Sequence, residues 1–308
     1  MNLIALLIGL VIERLATQLF HWRRMRFMDR IVDAGFAYAD RVRQWPPVVS
    51  VILLALVLAL PVFVVIVALG DALLGFPYLI LAIVVLFFSL GPNDIGEEVS
   101  EYCTALEGDD EERLQQTARA LVEAEVPVDT LDCIHAVESA VFVQANNRLY
   151  AIIFWFIVLG PFGPLGAWLY RATDLIRRRA VFSAARAEEE SDVESRTRIR
   201  DAAVTLHGWL AWIPARLTAV GYAIAGHFDA ASAAWRRQPD PAPETISEAS
   251  EELLARVGIG ALALRDESDE ELKERGVRGA TAANRLVFRL LVIWAVVIAA
   301  LTLYGWTV

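Results

Sequence analysis

Residues 137–149 read VESAVFVQANNRL and run straight into 150–175, YAIIFWFIVLGPFGPLGAWLYRATDL. From Leu149 to Tyr170 there is no formal charge, and Arg148 and Arg171 bracket the stretch. A bilayer core about 30 Å thick takes roughly 20 apolar residues as a helix, so this run is long enough to cross once. A single crossing would strand the arginine-rich segment 171–200 outside, against the rule that arginine and lysine mark the inner face. GPFGP (160–164) resolves the conflict, because two prolines and two glycines in five residues end a helix. The pattern predicts a helix over about 136–159, a tight turn, and a second helix from about 164 that carries Arg171 and Arg177–Arg179 back to the side of entry. Arms this short make a shallow or re-entrant hairpin, which needs protein around it to satisfy its irregular backbone.

Working outward, the flanking sequence is membrane-grade as well. Residues 48–69, 76–90 and 290–306 are uncharged runs, 56% of the chain is hydrophobic, and mean hydropathy is +0.46. Residues 3–12 (LIALLIGLVI) lack the preceding basic residue and the cleavage site of a signal peptide, which predicts a retained helix over roughly 2–20. The arginine-rich segment 21–43 then lies inside. Strict alternation is absent, which excludes a barrel. The fold class is therefore all-α: a polytopic helical membrane protein with a short or re-entrant hairpin and cytoplasmic helical segments. The organisation predicted is 1–90, three transmembrane helices with a basic loop; 91–137, a cytoplasmic helical segment; 138–235, a core with the hairpin; 236–284, a cytoplasmic linker and acidic helix; and 285–308, a last transmembrane helix. Within 91–137, Leu114, Ala118, Leu121 and Val122 share one helical face. The stretch 207–228 is apolar but interrupted by Pro214 and Arg216, and lies against or dips into the bilayer.

The net charge of −10 argues against nucleic acid, whose binding needs a basic face. Cys103 and Cys133 fall in the cytosolic part, outside any metal-ligand or nucleophile spacing, and read as small buried residues. The histidines also lack metal-ligand spacing, so no metal site is expected.

Polar side chains at membrane depth are costly and become the candidate site. Glu13, in the first helix, needs a partner other than its neighbour Arg14. Asn93 and Asp94, in GPNDIGEE (91–98), are candidates if they face a cavity, although either can cap the next helix, with Glu97 completing a capping-box arrangement. His135, Glu138, Phe142, Asn146 and Leu149 fall on one helical face, with Asn147 at its edge. On the returning arm Tyr170, Arg171 and Asp174 lie within a turn of one another, and Arg216 is the cation expected to join them. Carboxylates, amides and arginines grouped this way suit an oxyanion, since guanidinium matches planar oxyanions bidentately.

VIERL (11–15), GPND (91–94), 136–175, WIPARLTAVGYAIAGHFDAASAAW (212–235) and TLYGW (302–306) resemble the AmpE family from end to end. The resemblance implies a bacterial inner-membrane protein encoded beside the amidase AmpD and linked to β-lactamase induction. AVES (136–139), YRA (170–172), Asp174 and WIPARLTA (212–219) are more distantly similar to the CobD/CbiB cobalamin-biosynthesis enzymes. That likeness implies a membrane ligase using ATP and magnesium. The chain departs from the enzyme pattern: QANNRL replaces EN-x-x-D-G, and the DP…HP signature after Glu13 is missing.

Two functions follow. The first is a non-enzymatic sensor or modulator of cell-wall signalling and β-lactamase induction, multi-pass in the inner membrane. It has a polar cleft for a small anionic metabolite or cell-wall fragment, AmpD as an associate and a homodimer as a candidate assembly. The second is a CobD/CbiB-like ligase with ATP and magnesium. A transporter would need the duplicated spans that the sequence lacks. The altered ligase pattern favours the first.

Overall fold

The computed structural model describes residues 26–41, 44–69, 75–90, 94–108, 110–123, 126–186, 190–264 and 270–303. Glu13, Arg14, the helix expected over 2–20 and Asn93 lie outside these residues. The elements are α1 (Arg26–Arg41), α2 (Pro47–Leu69), α3 (Phe76–Ser89), α4 (Ile95–Glu107), α5 (Glu111–Val122) and α6 (Thr130–Ala145). A π-helical turn (Asn146–Tyr150) leads into α7 (Ala151–Val158) and a 3-10 turn (Gly160–Phe162). Then come α8 (Gly163–Ala184), α9 (Glu190–Ala225), α10 (Phe228–Arg236), α11 (Ile246–Leu262) and α12 (Leu272–Leu303). There is no strand among the described residues. The protein is an all-α polytopic membrane protein.

Local chemistry sets several of the boundaries. Asp94, Asp110 and Asp129 each cap the following helix through a side-chain oxygen, and Thr245 with Glu248 forms a full capping box for α11. Pro61 sits inside α2 and Pro214 inside α9. Among the described residues, three runs are long and apolar enough to cross a membrane: Pro47–Leu69, Thr130–Val158 and Leu272–Leu301; Phe76–Ser89 is apolar but shorter. Leu53, Leu56, Leu60, Val64 and Val67 of α2 are exposed, as are Val292, Val296 and Val297 of α12. Apolar faces of this extent on separate helices suit lipid rather than water.

The hairpin forms at the expected corner. Gly160 takes φ +54, a left-handed backbone open to glycine and strained for other residues, and the chain turns there. A Cβ on Gly163 would overlap the Phe156 carbonyl, and one on Gly166 the Trp155 carbonyl. Both glycines thus let α8 lie directly on α7. Tyr78 of α3 donates to the Gly160 carbonyl at 3.3 Å. The arms exceed the sequence expectation. The first runs unbroken from Thr130 through the π turn to Val158, and the second continues to Ala184.

Both arms use tryptophan against a proline-opened helix. Pro214 has no N–H to give the carbonyl four residues back, and Trp155 Nε1 donates to that carbonyl, Leu210 O, at 3.1 Å. Trp168 Nε1 reaches Leu58 O at 2.8 Å, in the turn of α2 that precedes Pro61.

Three apolar cores result. One joins α4, α5, α6, the second half of α9, α10, α11 and α12. A second gathers α3, α7, the start of α8 and Ala211. The third holds α1, α2, the rest of α8 and the first half of α9. Ala118 and Leu121 of α5 are buried, with Leu114 and Val122 packed against them, as their spacing predicts. Residues of 236–284, expected as a cytoplasmic linker and acidic helix, contribute to the first of these cores. Leu254 and Val257 of α11 are core residues, and α12 begins at Leu272 with Ala280 and Ala283 buried. Composition alone hid this, because the acidic residues are interspersed along these helices with apolar ones that pack inward.

Candidate functional site

The π turn decides where the polar side chains point. Its wider backbone interrupts the 3.6-residue register, and such bulges frequently mark functional positions. Above it, Glu138 is buried against α12, where it pairs with Arg275 and lies 3.8 Å from His135. A Cβ on Gly279 would overlap the Glu138 carboxylate, so α12 leaves a notch for it. Within the turn, Asn146 and Asn147 face α8 and α9. Thr218 donates to Asn146 Oδ1 at 3.0 Å, Asn146 Nδ2 donates to Asn147 Oδ1 at 3.2 Å, and Tyr170 donates to the same Oδ1 at 3.3 Å. All four side chains are buried.

Arg148, the next residue, turns the other way. Its Nη1 donates to Glu98 at 2.7 Å, its Nη2 to Glu123 at 2.7 Å and to Ala120 O at 3.2 Å, and its Nε to Gln144 at 3.0 Å. Glu123 in turn pairs with Arg178 at 2.5 Å and lies 3.7 Å from Arg177. Both arginines also hold Asp174, as does Arg171 at 2.9 Å. Asp174 has no exposed surface and Arg171 is 3% exposed. His207 Nε2 stands 3.8 Å from Asp174, and its ring rests against Tyr170. The result is a continuous junction of arginines and carboxylates drawn from α4, α5, the π turn and α8.

The electrostatics follow from that packing. Burial alone would raise the Asp174 carboxyl, but Arg178, Arg177 and Arg171 outweigh it and hold it well below the usual carboxylate range. Burial likewise opposes Arg178 and Arg148 at Glu123, and the arginines win, lowering it. His207 is pushed down to about 3, first by burial and then by Arg177, and is neutral. Burial raises Glu251, which lies behind Arg177 and accepts from Ser247 at 3.2 Å. Some groups in the junction find no hydrogen-bond acceptor or donor: Arg171 Nε, Arg177 Nε, Arg178 Nη2, Glu123 Oε2 and both His207 nitrogens are buried without one.

The structure thus brings Asn146, Asn147 and Tyr170 into one amide cluster and Arg171 and Asp174 into the adjoining junction. Glu138, on α6, stands apart against α12. Asp94 caps α4, its Oδ1 accepting from Gly96 at 2.9 Å. Arg216 does not join Asp174. Its guanidinium stacks on Trp212 at 3.9 Å and donates to Trp212 O and to Ser250, because its helical position turns it toward α11. Sequence reasoning missed Glu98, Glu123, Arg148, Arg177, Arg178, His207 and Thr218 as site residues. The arginine run 177–179 reads as a topology marker, although its i,i+3 and i,i+4 spacing from Asp174 was a usable signal. No cluster of histidine, cysteine and carboxylate residues fit for a metal occurs among the described residues.

A helical membrane protein with a buried arginine–carboxylate junction at a π-helical turn is the class that this fold and site define. Comparison with known families narrows it. The chain belongs to the AmpE family: the model described as "Regulatory signalling modulator protein AmpE" matches residues 1–308. Membership carries a role in membrane signalling. The chain is also 26% identical over 220 residues to a protein named "Cobalamin biosynthesis protein CobD" from Stutzerimonas stutzeri (strain A1501), covering 69% of this chain and 68% of that one. No solved structure matches.

Proposed function

We propose that the protein is a multi-pass inner-membrane regulator that couples the state of the cell wall to β-lactamase induction, and that it does so by binding a small anionic metabolite or cell-wall fragment at the arginine junction. The observation that carries this reading is the gathering of Arg148, Arg171, Arg177 and Arg178, three of them with a buried nitrogen lacking an acceptor. Unmatched donors in a low-dielectric setting are costly, and an oxyanion would satisfy them. On the same reading the amidase AmpD associates with the inner face, and a homodimer forms through the exposed apolar faces of α2 and α12. Crosslinking in membranes reads both.

The test is induction itself. In a host lacking its own copy, Arg178→Gln is expected to remove the change in induced β-lactamase activity that the wild-type chain restores, while Glu112→Gln on an exposed face leaves it. Arg178→Gln restoring induction in full, in a chain shown to be folded and inserted, would sink the ligand reading.

The similarity to a cobalamin biosynthesis protein supports a second reading, an ATP- and magnesium-dependent ligase. Against it, each carboxylate of the junction already has a cationic partner: Glu98 on Arg148, Glu123 on Arg148 and Arg178, Asp174 on Arg171, Arg177 and Arg178. A rise in melting temperature with ATP–magnesium and none with muropeptides would favour it, since a ligand of the folded form stabilises by mass action.

A further inference from the structure

Glu123 closes α5 with φ +57 and ψ 16, the left-handed region that glycine and asparagine prefer. A glutamate held there needs something to hold it, and strained backbone of this kind gathers at ligand clamps and switches. What holds it is a convergence of three guanidinium groups. Arg148 donates to Oε1 at 2.7 Å, Arg178 pairs with the same oxygen at 2.5 Å, and Arg177 stands 3.7 Å from Oε2. The fork thus grips a carboxylate as it would grip a bound oxyanion.

Of the carboxylates touching these arginines, Glu123 is also the one nearest release. Its side chain is 19% exposed, against 7% for Glu98 and 0% for Asp174. It ends a helix rather than sitting within one. Charge follows the same logic. Arg148, Arg171, Arg177 and Arg178 face Glu98, Glu123, Asp174 and, behind Arg177, Glu251. Among the described residues, its departure removes one negative charge from beside Arg148, Arg177 and Arg178. Independently, Arg177 Nε and Arg178 Nη2 are buried donors without an acceptor while Glu123 Oε2 is a buried acceptor without a donor, so the carboxylate does not match the fork that holds it.

We propose that Glu123 is the built-in occupant of an oxyanion site formed by Arg148, Arg177 and Arg178, and that the phosphate or carboxylate group of a small ligand exchanges with it. The proposal rests on the reading that the junction binds an anion, and adds the group that competes for the site. Ligand entry then frees the end of α5, whose Ala118 and Leu121 pack in the core shared with α6 and α12. Occupancy is thereby transmitted to two membrane-spanning runs.

Calorimetry on the purified full-length chain tests this with inorganic phosphate and acetate as the probes. Glu123→Gly, which suits the left-handed backbone and keeps the helix end, is expected to bind phosphate at least tenfold more tightly than wild type. Phosphate should exceed acetate, because its extra oxygens reach the unmatched donors. Adding Arg178→Gln should abolish the gain, and Glu112→Gln should give none. Glu123→Gly binding phosphate no more tightly than wild type, or a gain that survives Arg178→Gln or appears equally in Glu112→Gln, overturns the proposal. If a muropeptide binds wild type and Glu123→Gly equally, Glu123 is no occupant and the ligand reading stands. If no variant binds any anion, both fall.

Discussion

The two sides of the π turn make opposite use of buried polarity. On the side of the hairpin, the account closes. Asn146, Asn147, Thr218 and Tyr170 retain no buried polar atom without a partner. Helix carbonyls there also acquire outside donors, with Trp155 serving Leu210, Tyr222 serving Phe142 at 2.9 Å and Tyr150 serving Val287 at 2.5 Å. On the side of Arg148 the account stays open, with spare guanidinium nitrogens, a neutral histidine without a hydrogen bond, and a glutamate in a strained backbone. Closed networks rigidify a fold, whereas a buried polar group left without a partner is costly and gains from one. The first side builds the scaffold and the second is equipped to exchange a partner.

The strongest way to break this contrast is Asp174→Asn. Asp174 is the shared counter-ion of Arg171, Arg177 and Arg178, and losing one partner of a buried ion pair costs about 3–5 kcal/mol. Chemical unfolding of the full chain in detergent should show a loss of that order. A loss below about 1 kcal/mol, the scale of an exposed pair, would mean that water already reaches the junction. On the closed side, Asn146→Leu strands the buried Thr218 hydroxyl and leaves Asn147 Oδ1 with Tyr170 as its donor. The expected loss is about 1–3 kcal/mol, as for any buried group left unmatched. It should leave phosphate binding by Glu123→Gly intact, which separates scaffold from site.

Stability against pH sharpens the contrast further. Asp174 has a depressed folded value, so its contribution is complete above the ordinary carboxylate range and lost only in strong acid. His207 behaves differently. Buried and neutral down to about 3, it takes up its proton in the unfolded chain first, from about 6.5 downward. The folded state therefore loses about 1.4 kcal/mol per pH unit through that window and gains nothing above it. His207→Phe keeps a ring against Tyr170 and should flatten the slope between pH 6 and 4, read as melting temperature against pH. An unchanged slope would place His207 in contact with water.

How far these features were legible depended on whether the backbone stayed regular. The hairpin was readable because GPFGP breaks a helix wherever it occurs, and because Gly160, Gly163 and Gly166 are the residues such a corner requires. Asn146, Asn147, Tyr170, Arg171 and Asp174 were readable as polar groups in apolar surroundings. Glu138 and Arg216 were placed by helical spacing alone, and the helices that pack against them took them elsewhere, Glu138 to Arg275 of α12 and Arg216 to Ser250 of α11. Glu98 and Glu123 were out of reach, since one sits within an acidic helix and the other ends the next, and each becomes part of the junction only through long-range packing onto Arg148.

The smallest effect probes the closed side at a single bond. Trp155→Phe retains the apolar ring but leaves Leu210 O without its donor, at an expected cost of about 1 kcal/mol. That carbonyl lacks a helical partner only because residue 214 is proline. In a Pro214→Ala background the backbone N–H restored at that position can take it, and Trp155→Phe should cost less there. The double-mutant cycle isolates the coupling, whose sign matters more than its size. A positive coupling shows that the tryptophan repairs a break made by the proline, which ties hairpin and α9 into one unit. Equal costs in both backgrounds would show that Trp155 acts by packing alone, and the closed side of the comparison would then owe its order to shape rather than to matched hydrogen bonds.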